Sequence, residues 1–275
     1  MREKLKTFIA KYGYAVILAL GVFAMDLFVY YIVPFIGNNF KTWNFSITGF
    51  DDKVPLVRIF FIPYFLSYPF WLIIPIVAGK NRQRLCNWFI AVAMCFLIFA
   101  IIYSFLPTTI ERPIDEMLAS DSALDRLIGK FYLLDGGYTP SAVFPSLHCL
   151  LSTFCYLSVR RQKNIHISIR IGSLVMCVLI LLSTQFTKQH YIVDMIPSVV
   201  LAELTFFICN KFNLGKKLLV LIEKIENKLK KVGDTHNAED THNAEAIEDN
   251  AEDTHDAEAI EDNAEGPRNA ENDYN

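Results

Sequence analysis

His190 and Asp194 stand four residues apart in "QHYIVD" (189–194), so on a helix both side chains leave from one face. An imidazole with a carboxylate one turn away has a fixed ring orientation and a stabilised positive charge. Those are the makings of a nucleophile with an orienting partner. A second grouping lies in "FPSLH" (144–148). Pro145 and Ser146 read as a helix start. The free N–H groups of such a start, with the helix dipole, bind phosphate, and the Ser146 hydroxyl adds a donor. His148 falls in the first turn, free to act as a general acid for a leaving group. Arg112, in "ERP" (111–113), can grip phosphate oxygens through two parallel hydrogen bonds. Lys188, two residues before His190, supplies a second cation. Together these residues spell phosphoryl transfer, with His190 as nucleophile, Asp194 as its orienting group and His148 as acid.

Each residue also has a plainer reading. A histidine in an apolar segment commonly makes a helix–helix hydrogen bond. Ser146 fits a helix cap, and Lys188 fits an anchor at a membrane edge. Asp135, in "LLDGGYTP", reads as shaping a turn with Gly136 and Gly137. Asp26 has no assigned role. What favours chemistry is the setting, because an ionisable group near a membrane core costs roughly 2.5–3.5 kcal/mol on insertion scales.

That setting is hydrocarbon. Of the 275 residues, 53% are hydrophobic, 22 are Phe, and the mean hydropathy is +0.30. The apolar residues fall in runs long enough to cross a bilayer. Six spans are expected, at about 14–36, 56–78, 88–106, 145–160, 167–186 and 190–209, the fourth being short and partly polar. The fold class is therefore all-α, a polytopic six-helix transmembrane bundle. Residues 1–11, 79–84, 160–170 and 211–231 hold eighteen Lys and Arg, while 37–54, 107–144 and 184–190 hold six. The positive-inside rule then puts both termini in the cytoplasm and every residue of the site at the outer face of the cell membrane.

The net charge of −3 hides two regions. Residues 234–275 carry fifteen Asp and Glu against Arg268 alone, and contain a 13-residue repeat (240–252 and 253–265). Such a tail buries no core and is expected to be disordered. Without it the chain carries a net +11. The expected organisation is a membrane domain at 1–211, a basic amphipathic helix at 212–233 lying on the inner membrane surface, and the tail. None of the six Cys lies in an outer loop, and no Cys/His spacing suggests zinc.

The residues named above resemble the three motifs of the type 2 phosphatidic acid phosphatase (PAP2) superfamily, K-x6-RP, PSGH and SR-x5-H-x3-D. Arg112 and Pro113 match the first. Pro145, Ser146 and His148 match the second. Ser183, His190 and Asp194 match the third at its spacing. The resemblance covers about residues 85–210. Three positions depart from it: Phe105 stands at the Lys of the first motif, Leu147 at the Gly of the second and Thr184 at the Arg of the third. "FPSLH" and the His-Tyr-x-x-Asp run look more like the branch that includes the fungal inositol phosphorylceramide synthases. The resemblance implies metal-independent phosphoester chemistry through a phosphohistidine, here on His190, with no cofactor and no metal. The expected partners are a lipid phosphate substrate and membrane lipids, and no nucleic acid. The leading expectation is a lipid-phosphate phosphatase. The alternatives are a head-group phosphotransferase with an alcohol acceptor and a non-catalytic lipid-phosphate binding protein.

Overall fold

A computed structural model describes residues 2–37, 40–47, 49–137 and 142–230. The acidic repeat at 234–275, expected to be disordered, lies outside the described residues. The chain divides into one unit, Met1–Leu219, and a second from Val220 onward. Within the first unit the helices are α1 (Arg2–Leu27), α2 (Pro34–Gly37), α3 (Phe61–Ala78), α4 (Arg82–Phe105), α5 (Ile114–Ala119), α6 (Ala123–Leu134), α7 (Leu147–Val159), α8 (Ile167–Phe186) and α9 (Ile192–Phe212). The described residues contain no strand, only the isolated bridges Trp43–Thr108 and Thr108–Ala142.

Five segments are long and apolar enough to cross a membrane: Lys11–Ile36, Arg58–Ala78, Arg82–Phe105, Ile167–Phe186 and Ile192–Phe212. The chain is thus a multi-pass membrane protein. The fourth expected span differs from these. Helix α7 has 13 residues and rises about 20 Å, short of a roughly 30 Å hydrocarbon core. It need not meet lipid, because all of its residues except Tyr156 are buried. Helices α3, α4, α8 and α9 pack around it. Two of its hydroxyls are satisfied locally: those of Thr153 and Ser158 donate to the carbonyls of Cys149 (2.7 Å) and Cys155 (2.6 Å). A short helix buried on nearly every side is a core helix, and here it is the axis of the bundle.

Its neighbours fasten both of its ends. Tyr103 donates to the Pro145 carbonyl (2.5 Å), Trp71 to the Ser152 hydroxyl (3.0 Å) and Trp88 to the Phe154 carbonyl (3.0 Å). At the C-terminus the Arg84 guanidinium donates to the carbonyls of Leu157 (2.7 Å), Ser158 (3.1 Å) and Arg160 (2.7 Å). A cation there satisfies orphan carbonyls and complements the helix dipole. Arg160 forms a two-bond pair with Glu203 on α9 (2.5 and 2.7 Å). Just beyond α9, a Cβ on Gly215 would sit 2.4 Å from the Cys86 backbone, so only glycine allows that approach.

At the other end the segment 107–144, expected as a loop, contains α5 and α6. They bury Ile114, Met117, Ile128 and Tyr132 against Phe61 at the start of α3. Ser122 caps α6 by accepting from the Asp125 N–H. The Asp125 carboxyl is held below the usual range by hydrogen bonds from Arg58, and its Oδ2 lies 3.0 Å from an Arg58 Nη. Residues 216–230 are helical, with Leu221, Ile225 and Leu229 exposed at four-residue intervals.

Candidate active site

The residues singled out from the sequence gather where α7 and α9 begin and α8 ends. Ser146 caps α7: its hydroxyl accepts from the Cys149 N–H (3.3 Å), and its own N–H donates to the Asp194 carbonyl (3.1 Å). That backbone bond ties the start of α7 to the first turn of α9. Ser146 is fully buried, so its hydroxyl serves the helix.

His148 lies one residue inside α7. Its ring stacks on Tyr64 (centroids 4.4 Å, planes 20°) and meets Tyr68 (5.9 Å) and Trp71 (4.9 Å) edge-on. Its Nε2 is buried without a hydrogen-bond partner. The three aromatic residues recur at four- and three-residue spacing, so one face of α3 forms the cage. The His190 ring centroid is 6.3 Å from that of His148.

His190 precedes α9, and its Nδ1 lies 3.4 Å from Asp194 Oδ2. That distance suits an ion pair, yet the alignment makes no hydrogen bond, and His190 Nδ1 and Asp194 Oδ1 are both buried and unpartnered. Asp194 Oδ2 instead accepts from the Tyr191 N–H (2.8 Å), closing the first turn of α9. A small ring rotation would convert the contact into a Nδ1–H···Oδ2 bond, the kind of tightening that apo catalytic pairs undergo.

Arg112 is held end-on. Its Nη1 donates to the Asp135 carbonyl, and its Nη2 lies 3.3 Å from Asp135 Oδ2. The two side chains are only 3% and 9% exposed. Tyr30 donates to Asp135 Oδ1 (2.7 Å). Burial pushes the Asp135 carboxyl above the usual range, with Arg112 and Tyr30 pulling it back. Asp135 therefore does more than shape its turn, although Gly136 and Gly137 do adopt the positive φ such a turn needs (88° and 62°). The Arg112 Nε is buried and unpartnered. Since the guanidinium is planar, its Nε/Nη2 edge is the one left for a ligand.

Lys188 sits at φ 53° and donates through Nζ to the Asp51 carbonyl (3.1 Å). Asp51 belongs to the segment leading into α3, and its carboxylate accepts the N–H groups of Ile47 (2.7 Å) and Ile192 (3.3 Å). Arg112, Lys188 and His190 all line one cavity of about 470 Å³, together with Gln185, Tyr191 and the acidic residues Asp51, Asp52, Glu111 and Glu116. Among the described residues, no three His, Cys, Asp or Glu side chains come together as metal ligands.

A family model described as the PAP2 superfamily matches residues 39–208, well over half of the chain. The chain belongs to the PAP2 superfamily. No curated protein and no solved structure gives a significant match. Membership supports a lipid-phosphate enzyme of phosphatase or phosphotransferase type.

Within that family this site is poor in cations. Phe105, at the motif lysine, is 65% exposed and packs edge-on against Phe40 (5.9 Å). Thr184, at the motif arginine, is fully buried; its hydroxyl donates to the Leu181 carbonyl (2.8 Å) and accepts from Gln185 Nε2 (3.2 Å). Neither position supplies charge to the cavity. Sequence reasoning missed Tyr64, Tyr68 and Trp71 as the His148 cage, Tyr30 and Asp135 as the Arg112 clamp, and Asp51 as the Lys188 partner. The only hint was the cost of an acid beside an apolar run, which applied to Asp135 as it did to Asp194.

Proposed function

We propose that the protein is an integral membrane lipid-phosphate phosphatase that works through a phosphohistidine on His190. The observation that carries the reading is convergence: Arg112, Lys188 and His190 line one cavity, His148 stands 6.3 Å from His190 between ring centroids, and Asp194 backs His190 Nδ1 at 3.4 Å. With Nδ1 facing the carboxylate, Nε2 is the attacking nitrogen. It forms a bond to phosphorus as the bond to the lipid oxygen breaks, and that oxygen takes a proton from His148. A water then attacks phosphorus, gives its proton back to His148, and releases phosphate as the P–Nε2 bond breaks. Asp194 steadies the positive charge on His190, and the free edge of Arg112 holds the phosphoryl oxygens.

Purified protein given labelled phosphatidic acid or a polyprenyl diphosphate is expected to release phosphate. The release should survive EDTA and be inhibited by vanadate, which mimics five-coordinate phosphorus. Activity lost on chelation and regained with Mg²⁺ would contradict the reading.

The site is proposed to face outward. All of its helix ends lie at the end of α7 away from Arg84 and Arg160, and the Lys and Arg asymmetry supports an outward position for that end. The native cysteines at described positions are all buried, so introduced ones report cleanly. Asp121→Cys should react with an impermeant thiol reagent on intact cells, and Asn164→Cys only after the membrane is opened. The reverse pattern would put the site inside.

A second reading, transfer of a head group to an alcohol, draws on the size of the cavity, which at about 470 Å³ is far larger than a phosphate needs.

A further inference from the structure

The helix at 216–230 lies beyond the residues matched to the family, and nothing in the reaction above uses it. Its start is set by the end of α9. That span has 21 residues and rises about 30 Å, the thickness of a hydrocarbon core. It stops at Asn213, which adopts the left-handed conformation (φ 50°), and the Leu214 N–H closes the turn on the Cys209 carbonyl (3.1 Å). The Gly215 N–H then donates to Asn87 Oδ1 (2.8 Å). Just inside the turn, the Lys211 ammonium lies 5.9 and 5.6 Å from the ring centroids of Phe207 and Phe212, both exposed. Aromatic rings with a lysine reaching past them mark a membrane interface. The helix expected at 212–233 thus starts at 216, after a turn, where the hydrocarbon ends.

Two stripes run along it. Leu218, Leu221, Ile225 and Leu229 recur at three- and four-residue steps, and the last three are 53%, 49% and 67% exposed. Beside them Lys217, Lys224 and Lys228 form a second exposed row. In all the helix holds five Lys against Glu223 and Glu226. An exposed apolar stripe of this kind calls for a cover. The acidic tail at 234–275 cannot supply it, because its large apolar residues are Ile247, Ile260 and Tyr274 alone. A second copy of the helix is poorly suited as well: the apolar repeat from Leu218 to Val232 covers about two heptads, where a coiled coil takes three or four. An anionic lipid surface answers both stripes, with acyl chains for the leucines and phosphates for the lysines.

We propose that helix 216–230 is a charge-dependent membrane anchor. It lies on the bilayer surface at the end of α9, with its leucine stripe sunk to the acyl boundary and Lys217, Lys224 and Lys228 on the phosphates of anionic lipids. Glu223 and Asn227, on the opposite face, meet water. With the orientation proposed above, that surface is the inner leaflet, which carries the anionic lipids. The anchor is independent of the chemistry at His190 and stands or falls apart from it.

The test uses the full chain in nanodiscs of phosphatidylcholine, alone or mixed with phosphatidylglycerol, with brominated acyl chains as quencher in both. A fluorophore is attached to Ile225→Cys or to Asn227→Cys, both exposed positions; the native cysteines at described positions are buried. In the anionic discs the label at 225 is expected to be quenched several-fold more than the label at 227. In phosphatidylcholine alone, or in high salt, that difference should largely vanish. The triple variant Lys217→Gln/Lys224→Gln/Lys228→Gln changes exposed side chains only. It should weaken docking roughly 10²-fold, about fivefold for each lysine. Equal quenching at the two positions in anionic discs overturns the anchor. Docking that ignores lipid charge and survives the triple variant overturns the part given to the lysines, and the proposal with it. A label at 225 that shifts to an apolar emission without being quenched marks a protein cover, a second copy or the tail, and overturns it too.

Discussion

His190→Ala is expected to abolish turnover and the covalent intermediate for every substrate, a loss of about 10⁴-fold or more, the scale seen when a covalent nucleophile is removed. His148→Ala should behave differently, and the difference identifies its role. A lipid alkoxide is a poor leaving group and needs a proton as it departs, so this variant should lose ~10²–10⁴-fold on a lipid substrate. A nitrophenolate leaves well unprotonated, so the first step should be largely restored on an aryl phosphate. The cage makes the comparison clean: His148 is held by Tyr64, Tyr68 and Trp71, and His190 by its own turn and by Asp194, so neither ring supports the other through a hydrogen bond. Asp194→Asn should be slow on both leaving groups, because the charge that steadies His190 is gone while the turn bond to the Tyr191 N–H can still form. The measurement is acid-labile phosphoenzyme after rapid quenching. Label trapped on His190→Ala, or an equal loss by His148→Ala on lipid and aryl substrates, would refute the assignment.

The bundle was legible because bilayer length is a strong filter. A run of about 20 apolar residues has few other uses, so α1, α3, α4, α8 and α9 stand at their expected places. Helix α7 was legible as a helix but not as the axis. Its 13 residues mix Leu with Ser, Thr and Cys, a composition shared by marginal spans and by core helices, and only packing tells the two apart. The pair His190 and Asp194 could be read from four-residue spacing, although His190 stands just ahead of α9 and meets Asp194 of its first turn from outside the helix. The clamp on Arg112 could not. Tyr30, Arg112 and Asp135 come from three separate segments, and no local period links positions 105 residues apart. The aromatic cage was hidden in another way. Tyr64, Tyr68 and Trp71 have a clear helical period, but in a span that is aromatic throughout, that period carries no information until His148 is known to face it. The short helices α5 and α6 were missed for want of length, although Ser122 three residues before Asp125 is a capping signal of the ordinary kind.

The buried pair of Arg112 and Asp135 should separate stability from catalysis. Removing one partner of a buried ion pair strands the other, at a cost of about 3–5 kcal/mol. Arg112→Ala is therefore expected to lower the apparent melting temperature markedly and to end turnover, since the one guanidinium that lines the cavity among the described residues is lost. The cost falls toward the lower end of that range, because burial already pushes the Asp135 carboxyl up and an unpaired Asp135 takes up a proton instead of staying charged. Asp135→Asn keeps the shape and the backbone carbonyl that Arg112 Nη1 bonds, but leaves a buried guanidinium without its counter-charge. It should be destabilised as well, with a weakened hold on phosphate that shows as a higher inhibition constant for orthophosphate. The double variant Arg112→Ala/Asp135→Asn strands no charge. It should recover much of the lost stability, well short of the sum of the two single losses, and recover no activity. The readouts are thermal unfolding in nanodiscs and phosphate release from a labelled lipid, on all four proteins. Additive destabilisation would show that the pair is not coupled across its 3.3 Å contact. Turnover surviving Arg112→Ala would remove the arginine from the phosphate site, and Lys188, freed from the Asp51 carbonyl, would then be the cation left to hold the substrate.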